Sequence, residues 1–336
     1  MTATSHPPAP GTSAAHDLLN AVVELRMEAI AKNPSLELKR SARTFFLANY
    51  TRTYANAYAE GDIELRFTGR RLDGLILRGP AVSEHTGKPT VSCSLDYRLD
   101  SAAARRWIAG AIRRSGPAFA RGAVSFYLLA SYRALLAPLY EAGVHIDSVV
   151  LWGTSRAALA ALERGHPSLD WPLEYAIDPV RTESHVLAAL ALLTAEFTRN
   201  PQFGQFVTDP KFLERERQGL REHARAGAAT KFVIQMDGRI VGYFGMAVIR
   251  QHPVWGSVGS PMLCFDPRFQ GRGLSKYAYA TLLRRMRALR VPTFIGHTAQ
   301  PPTMRTGQEM EREVFSYSMR NGVADFPLSH FRYARR

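Results

Sequence analysis

Cysteine, lysine and long apolar runs are what this chain has least of. Its two cysteines, Cys93 and Cys264, sit in separate apolar stretches and make no metal-ligand spacing. That argues against a disulfide scaffold and a cysteine-based metal centre, so the expectation is a reduced, cytoplasmic protein without a metal. No apolar run is long enough to span a bilayer. The opening MTATSHPPAPGTSAAHD is polar and Pro-rich, lacks the apolar core of a signal peptide, and reads as a tail over 1–13. No membrane partner is expected. Only six of the 43 basic residues are lysine, although the formal net charge is +14. The arginines are spread along the chain, as in YTRTY and LLRRMRALR, with neither a block nor an interleaved aromatic platform. Such a distribution reads as a solvated basic surface, and no nucleic-acid partner is expected.

With 336 residues, 46% hydrophobic and 21% charged, the chain can build two ordinary globular domains. Helical spacing runs from about Ala14 to Asn56, with Pro34 marking an end. The stretches RRLDGLILRGP and PTVSCSLDYRL read as strands. A helix follows in DSAAARRWIAGAIRRSGP, capped by Asp100 or Ser101 and closed at Gly116 and Pro117. Then come the strand AVSFYLLA, the short helix YRALLAPLYEAG and the strand VHIDSVVLWG. Gly165, Pro167 and Pro172 mark a domain boundary between 162 and 171, giving domains at 14–168 and 169–336. The second half opens with the strand LEYAIDPV and two helices, the first capped by Thr182. Asp237 and Gly238 form a hairpin signal, and the strand GSPMLCFDP leads into a glycine loop. The helix LSKYAYATLLRRMRALR, the strand VPTFIGHTA, the helix PTMRTGQEME and the strand REVFSYSMR complete the order. Both halves share a strand–helix–strand–helix–strand run, as an internal duplication would leave. Only the second copy carries the glycines.

Those glycines stand in FDPRFQGRGLSKYAY, where an apolar strand gives way to a helix. A helix N-terminus offers N–H groups without internal partners and the positive end of the helix dipole. Glycines in the preceding turn let an anion reach those groups unobstructed, and Arg268 and Arg272 add charge beside it. The loop is neither a Walker A sequence nor a dinucleotide fingerprint.

The spacing Gln270-x-x-Gly273-x-Ser275, after LCFDPRF and before an amphipathic helix, resembles the pyrophosphate-binding motif of the GNAT-type acetyltransferase superfamily, Gln/Arg-x-x-Gly-x-Gly/Ala. The hairpin IQMDGRIVGYF and the element order over 173–320 extend the resemblance; Ser275 departs from the usual Gly or Ala but is small. The resemblance implies an α+β fold of two GNAT-like domains, each a mixed, mainly antiparallel sheet flanked by helices, the first one degenerate. It implies acetyl-CoA as co-substrate, its diphosphate held by the N–H groups of Gln270, Gly271, Arg272, Gly273, Leu274 and Ser275. The pantetheine arm would pair like an extra strand along Leu263 and Phe265, in a splay between their strand and TFIGHT. The implied reaction is acetyl transfer to the amine of a small-molecule acceptor. A longer acyl donor, a hydroxyl acceptor or a non-catalytic CoA-binding module are alternatives on the same fold. The acceptor would lie near Phe197 and Phe212; the sequence leaves its identity and the oligomeric state open.

The family often protonates the leaving thiolate from a Tyr on the helix after the fifth strand, shortly before a Gly-Phe pair. Here Gly307 falls at that position, and Tyr277, Tyr279 and Tyr317 are poorly placed substitutes. His297, at the end of TFIGHT, is the catalytic candidate, with an ordinary pKa suited to proton transfer, though a strand-end histidine also has ordinary structural uses. Cys264 alternates with Leu263 and Phe265 and reads as a buried, inert thiol on the opposite face. Asp266, before Pro267, reads as a turn former. An exposed helix start is expected to tolerate Gly273→Val at below about 1 kcal/mol.

Overall fold

The computed structural model describes residues 7–32, 40–82, 89–119, 123–199, 210–298 and 301–321. The tail expected over 1–13 falls partly outside these residues; from Thr12 onward it is the start of a helix. The backbone divides into two compact units. The first comprises Met1–Val150, His252–Gly256 and Val314–Arg336, and the second Leu151–Gln251 and Ser257–Glu313. The division thus falls inside a strand and not at the expected loop between 162 and 171. The reason is a helix that the sequence reading passed over: Thr154 ends the strand, and its Oγ1 accepts from Ala157 N at 3.1 Å to cap Ser155–Gly165. Strand and helix therefore run on without a linker. The first unit also takes its last strand from beyond the second.

In the first unit, helices α1 (Ser13–Ala31) and α2 (Arg40–Ala59) precede strands β1 (Ile63–Thr68), β2 (Arg71–Val82) and β3 (Pro89–Tyr97). Helix α3 (Ala102–Phe119) runs past Gly116 and Pro117, where the sequence predicted its end. Strand β4 (Val124–Leu129), a 3-10 turn at Ala130–Leu135, helix α4 (Leu136–Glu141) and strand β5 (Val144–Thr154) follow. Leu18, Leu19, Val22 and Val23 of α1 pack with Tyr50 and Tyr54 of α2 against Leu75 and Leu77 of β2. Strands β1, β2 and β3 pair antiparallel, and β3 pairs with β4 in parallel. That parallel ladder covers Val91, Ser92 and Cys93 opposite Val124, Ser125 and Phe126. Beyond it, Tyr132 reaches from the β4 side to donate to Asp96 Oδ1 of β3 at 3.1 Å, and its ring stacks on Tyr97 at 4.7 Å. Arg26 and Tyr50 reach the same carboxylate, Arg26 Nη2 at 3.0 Å. Ser101 Oγ accepts from Ala104 N at 3.1 Å, so the start of α3 is capped by its own chain.

In the second unit, helix α5 is the Ser155–Gly165 segment, and β6 (Ala176–Pro179), α6 (Glu183–Arg199) and α7 (Pro210–Arg225) follow. Then come β7 (Lys231–Met236), β8 (Arg239–His252), β9 (Gly256–Phe265), α8 (Leu274–Ala288), β10 (Thr293–Thr298) and α9 (Pro301–Glu309). The final strand β11 (Glu313–Asn321) pairs antiparallel with β4 in the first unit. Strand order in the second unit is β10-β9-β8-β7-β6, with the end of β5 beside β10. The hairpin joining β7 and β8 has Asp237 at φ 50° and Gly238 at φ 72°, two consecutive left-handed residues as its tight turn requires. One face of this sheet packs on α5 and α8, the other on α6 and α7.

Candidate functional site

The strand leading into the glycine loop shows its alternation in the packing. Leu263 and Phe265 are part-buried against the core that contains α8, whereas Cys264 lies in the core beneath α6 and α7. Burial pushes the Cys264 thiol well up, which keeps it protonated and inert, as its alternation predicted. Asp266 then closes the strand. Its carboxylate accepts from Arg268 N at 3.0 Å and pairs with the Arg268 guanidinium at 2.7 Å. Arg268 is thereby committed to the turn. Arg272 is not: its guanidinium stacks over the Phe269 ring at 4.7 Å, exposed beside the loop.

Gly271 and Gly273 have φ of 78° and 74°, left-handed values that an L side chain resists. Gly273 is the N-cap of α8 and brings no side chain to cap it. Leu274 is buried and anchors the first turn, and Ser275 is half-buried behind it. Among the described residues, none of the N–H groups of Gly271, Arg272, Gly273, Leu274 and Ser275 finds an acceptor. A Cβ on Gly271 would meet nothing within 4 Å, and one on Gly273 only Lys276 Cε at 3.8 Å. The glycines therefore leave an open nest of N–H donors before the helix. Gln270 lies at its rim, exposed, with Nε2 3.4 Å from Glu196 Oε2 and from Phe265 O. The left-handed φ also corrects the expectation for Gly273→Val. The pocket space is free, but a β-branched residue there carries a backbone cost of about 1–2 kcal/mol or more.

The ladder on the other side of β9 is short. Strands β9 and β10 pair in parallel at Thr293 with Val258 and at Phe294 with Gly259. Two residues further along, Pro261 stands level with Gly296, and proline has no N–H to continue the ladder. The paired register ends before that point. Phe294, Gly296 and Thr298 are buried, whereas His297 between them is exposed and so faces the other side of β10.

Residues 191–305 match the family model for the Acetyltransferase (GNAT) family. That segment is similar to GNAT acetyltransferases in sequence. A GNAT-related N-acetyltransferase from Sphaerobacter thermophilus has the same fold, at 13% identity and TM-score 0.54 over 97% of both chains. A tandem GNAT protein from the clavulanic acid biosynthesis pathway aligns over 95% of this chain and 98% of its own at 14% identity; its TM-score of 0.44 adds nothing to the fold assignment. No curated protein matches the chain in sequence. The GNAT fold supports acyl transfer from acyl-CoA. Among the described residues no helix is long and apolar enough to cross a membrane.

Glu311 has φ 51°, a left-handed value, at the turn between α9 and β11. Four residues before Glu311 stands Gly307, the position that the sequence resemblance gives to the family's Tyr. A Cβ on Gly307 would lie 2.5 Å from Leu151 Cδ1, so the space for a side chain is already filled. Tyr277 packs against Trp171 at 5.5 Å. Tyr279 is buried edge-on to Phe294 at 6.1 Å, and burial pushes its phenol up, partly offset by Arg312. Tyr317 lies on β11 in the first unit. Phe197 and Phe212 pack together at 5.9 Å; the segment between them lies mostly outside the described residues. The burial of Arg312 was missed in the sequence because EMEREVF reads as a charged surface run.

Proposed function

We propose that the second unit binds acetyl-CoA and transfers its acetyl group to the amine of a small-molecule acceptor, while the first unit binds no CoA. The observation that carries this reading is the open row of N–H donors from Gly271 to Ser275 at an uncapped helix start. The equivalent helix of the first unit supports the contrast, because Ser101 already fills its N-cap. In this reading the loop holds the diphosphate and Leu263 and Phe265 offer strand backbone to the pantetheine arm. Bound acetyl-CoA supplies an activated thioester. His297, exposed on the face of β10 opposite Phe294, takes the proton from the acceptor amine.

The test is calorimetric titration of acetyl-CoA into loop variants. Gly273→Asn suits the left-handed backbone while setting a side chain in the anion's place. Losing two charge-assisted bonds of about 1.5–3 kcal/mol each weakens binding by roughly 100-fold or more. Arg272→Ala is expected to cost far less, since salt screens an exposed charge. Equal affinity for Gly273→Asn and wild type would show that the glycines serve only the turn. A second reading, a CoA-binding module without catalysis, is favoured by the blocked Tyr position at Gly307. Acceptor-dependent thiol release, screened across an amine library, separates the two.

A further inference from the structure

Lysine is scarce in this chain, and Lys231 stands where its charge is poorly served. It opens β7 opposite Gly245 of β8. A Cβ on Gly245 would lie 3.0 Å from Lys231 Cγ and 3.2 Å from Tyr243 Oη, so the bare strand lets the lysine stem lie across it. Side chains alternate along a strand, which puts Lys231 on the face of the buried Val233, beneath α6 and α7. On α7, Leu220 is buried in that same core. Glu216 and His223 stand four residues before it and three after, on the helix face turned to the sheet. Among the described residues the Lys231 ammonium has no hydrogen-bond or ion-pair partner. The residue is half-buried, and its Nζ keeps contact with solvent. Burial pushes the lysine pKa down, against the pull of Glu216. Burial and Lys231 lower His223 too, against a backbone hydrogen bond with Ala228, so the imidazole is neutral at pH 7. Its Nε2 is buried without a partner.

We infer that Lys231 and His223 form an acyl-accepting pair, a modification site whose donors are acyl thioesters. It rests on the acyl-CoA reading above only for the donor's class, since the attack does not use the glycine loop. The lysine nitrogen's lone pair attacks the thioester carbonyl, and the C–S bond breaks with its electron pair going to sulfur. The proton shed by nitrogen passes to His223 Nε2 and on to water, and the thiolate takes its proton from water. Only the neutral amine is a nucleophile, and an ordinary lysine of pKa about 10.4 is roughly 0.1% neutral at pH 7.5. Two other lysines show the contrast. Lys32 is exposed, and Lys276 holds its ammonium 5.0 Å over the Tyr277 ring, which favours the charged form. The product at Lys231 is an uncharged amide, so acylation removes the cost of keeping an ammonium half-buried without a counter-ion.

The test is peptide mass spectrometry of the full-length protein exposed to S-acetyl-N-acetylcysteamine, a short acetyl thioester without a nucleotide, at about pH 7.5. Lys231 is expected to acetylate at least about tenfold faster than Lys32 and Lys276 in the same folded sample. In urea the three rates converge, because the fold and not the neighbouring sequence activates Lys231. His223→Gln is expected to slow Lys231 roughly tenfold and to leave Lys32 and Lys276 unchanged. Equal rates in the folded protein, an advantage that survives in urea, or an undiminished Lys231 rate in His223→Gln overturns the inference. The comparison of folded and urea-unfolded wild type decides the matter even if His223→Gln does not fold. Because the probe carries no diphosphate, failure here leaves the calorimetry of the glycine loop untouched, and a wild type that binds no CoA leaves the Lys231 rate untouched.

Discussion

Replacing Asp96 by Asn tests what holds the first unit together. Asp96 is fully buried and accepts from Arg26 Nη2 at 3.0 Å and Tyr132 Oη at 3.1 Å, with Tyr50 Oη as a further donor. Arg26 Nε lies 2.9 Å from the other carboxylate oxygen. Burial pushes the Asp96 carboxyl up, and Arg26 and the two phenols pull it down. Three hydrogen bonds on one carboxylate, one of them from a permanent cation, favour its ionised form against the burial. Asp96→Asn preserves shape but leaves Arg26 buried without its counter-charge and turns an amide N–H₂ toward other donors. Breaking a buried pair from one side costs about 3–5 kcal/mol. At about 2–4 °C per kcal/mol for a domain of this size, Tm falls by roughly 6–20 °C. Removing both charges, in Arg26→Met with Asp96→Asn, is expected to recover most of the loss, because no charge is then stranded. Denaturation followed by hydrogen exchange on peptides from α1 and β3 assigns the transition to the first unit. Acetyl-CoA affinity is expected to stay unchanged in both variants. A single variant within about 1 kcal/mol of wild type, or a double variant no better than the single, would refute the reasoning.

Two further outcomes follow from the second unit. Hydrogen bonds from the Arg268 side chain and N–H lower the Asp266 carboxyl to about 2. A depressed carboxylate stabilises the fold above its unfolded value of about 3.9 and loses that contribution as pH falls toward 2. Solvent screening keeps the gain below about 1 kcal/mol, so carboxyl NMR is the measurement, and Arg268→Ala should return Asp266 toward an ordinary aspartate. For His297→Ala, turnover is expected to fall by about two to four orders of magnitude with little change in acetyl-CoA binding. An unchanged pH–rate profile would leave His297 a surface strand residue.

Local chemistry made much of this legible beforehand. Asp237 and Gly238 marked a hairpin because few other residues accept its backbone, and the alternation of Leu263, Cys264 and Phe265 placed the thiol on its own face. The glycine loop was visible for the same reason: left-handed backbone leaves a residue-type signature. Long-range facts left none. The unit division inside β5 depends on which strand pairs with β4, and nothing near 150 records that partner lies past residue 313. Arg312 looked like surface charge because its burial is set by Phe294, Gly296 and Gly153, remote in sequence. Strand glycines were the one available hint.

The pairing of β11 with β4 sets an order of events during synthesis. Ser316 meets Leu129 and Arg320 meets Ser125. The first unit's sheet therefore stays open along β4 until the second unit has left the ribosome. An unpaired edge is a template for another chain's strand. Such late closure joins residues far apart in sequence, a slow and exposed way to fold. The half that carries no anion loop is thus finished last, whereas the helices and full strands of the half with the loop all precede β11 in the chain.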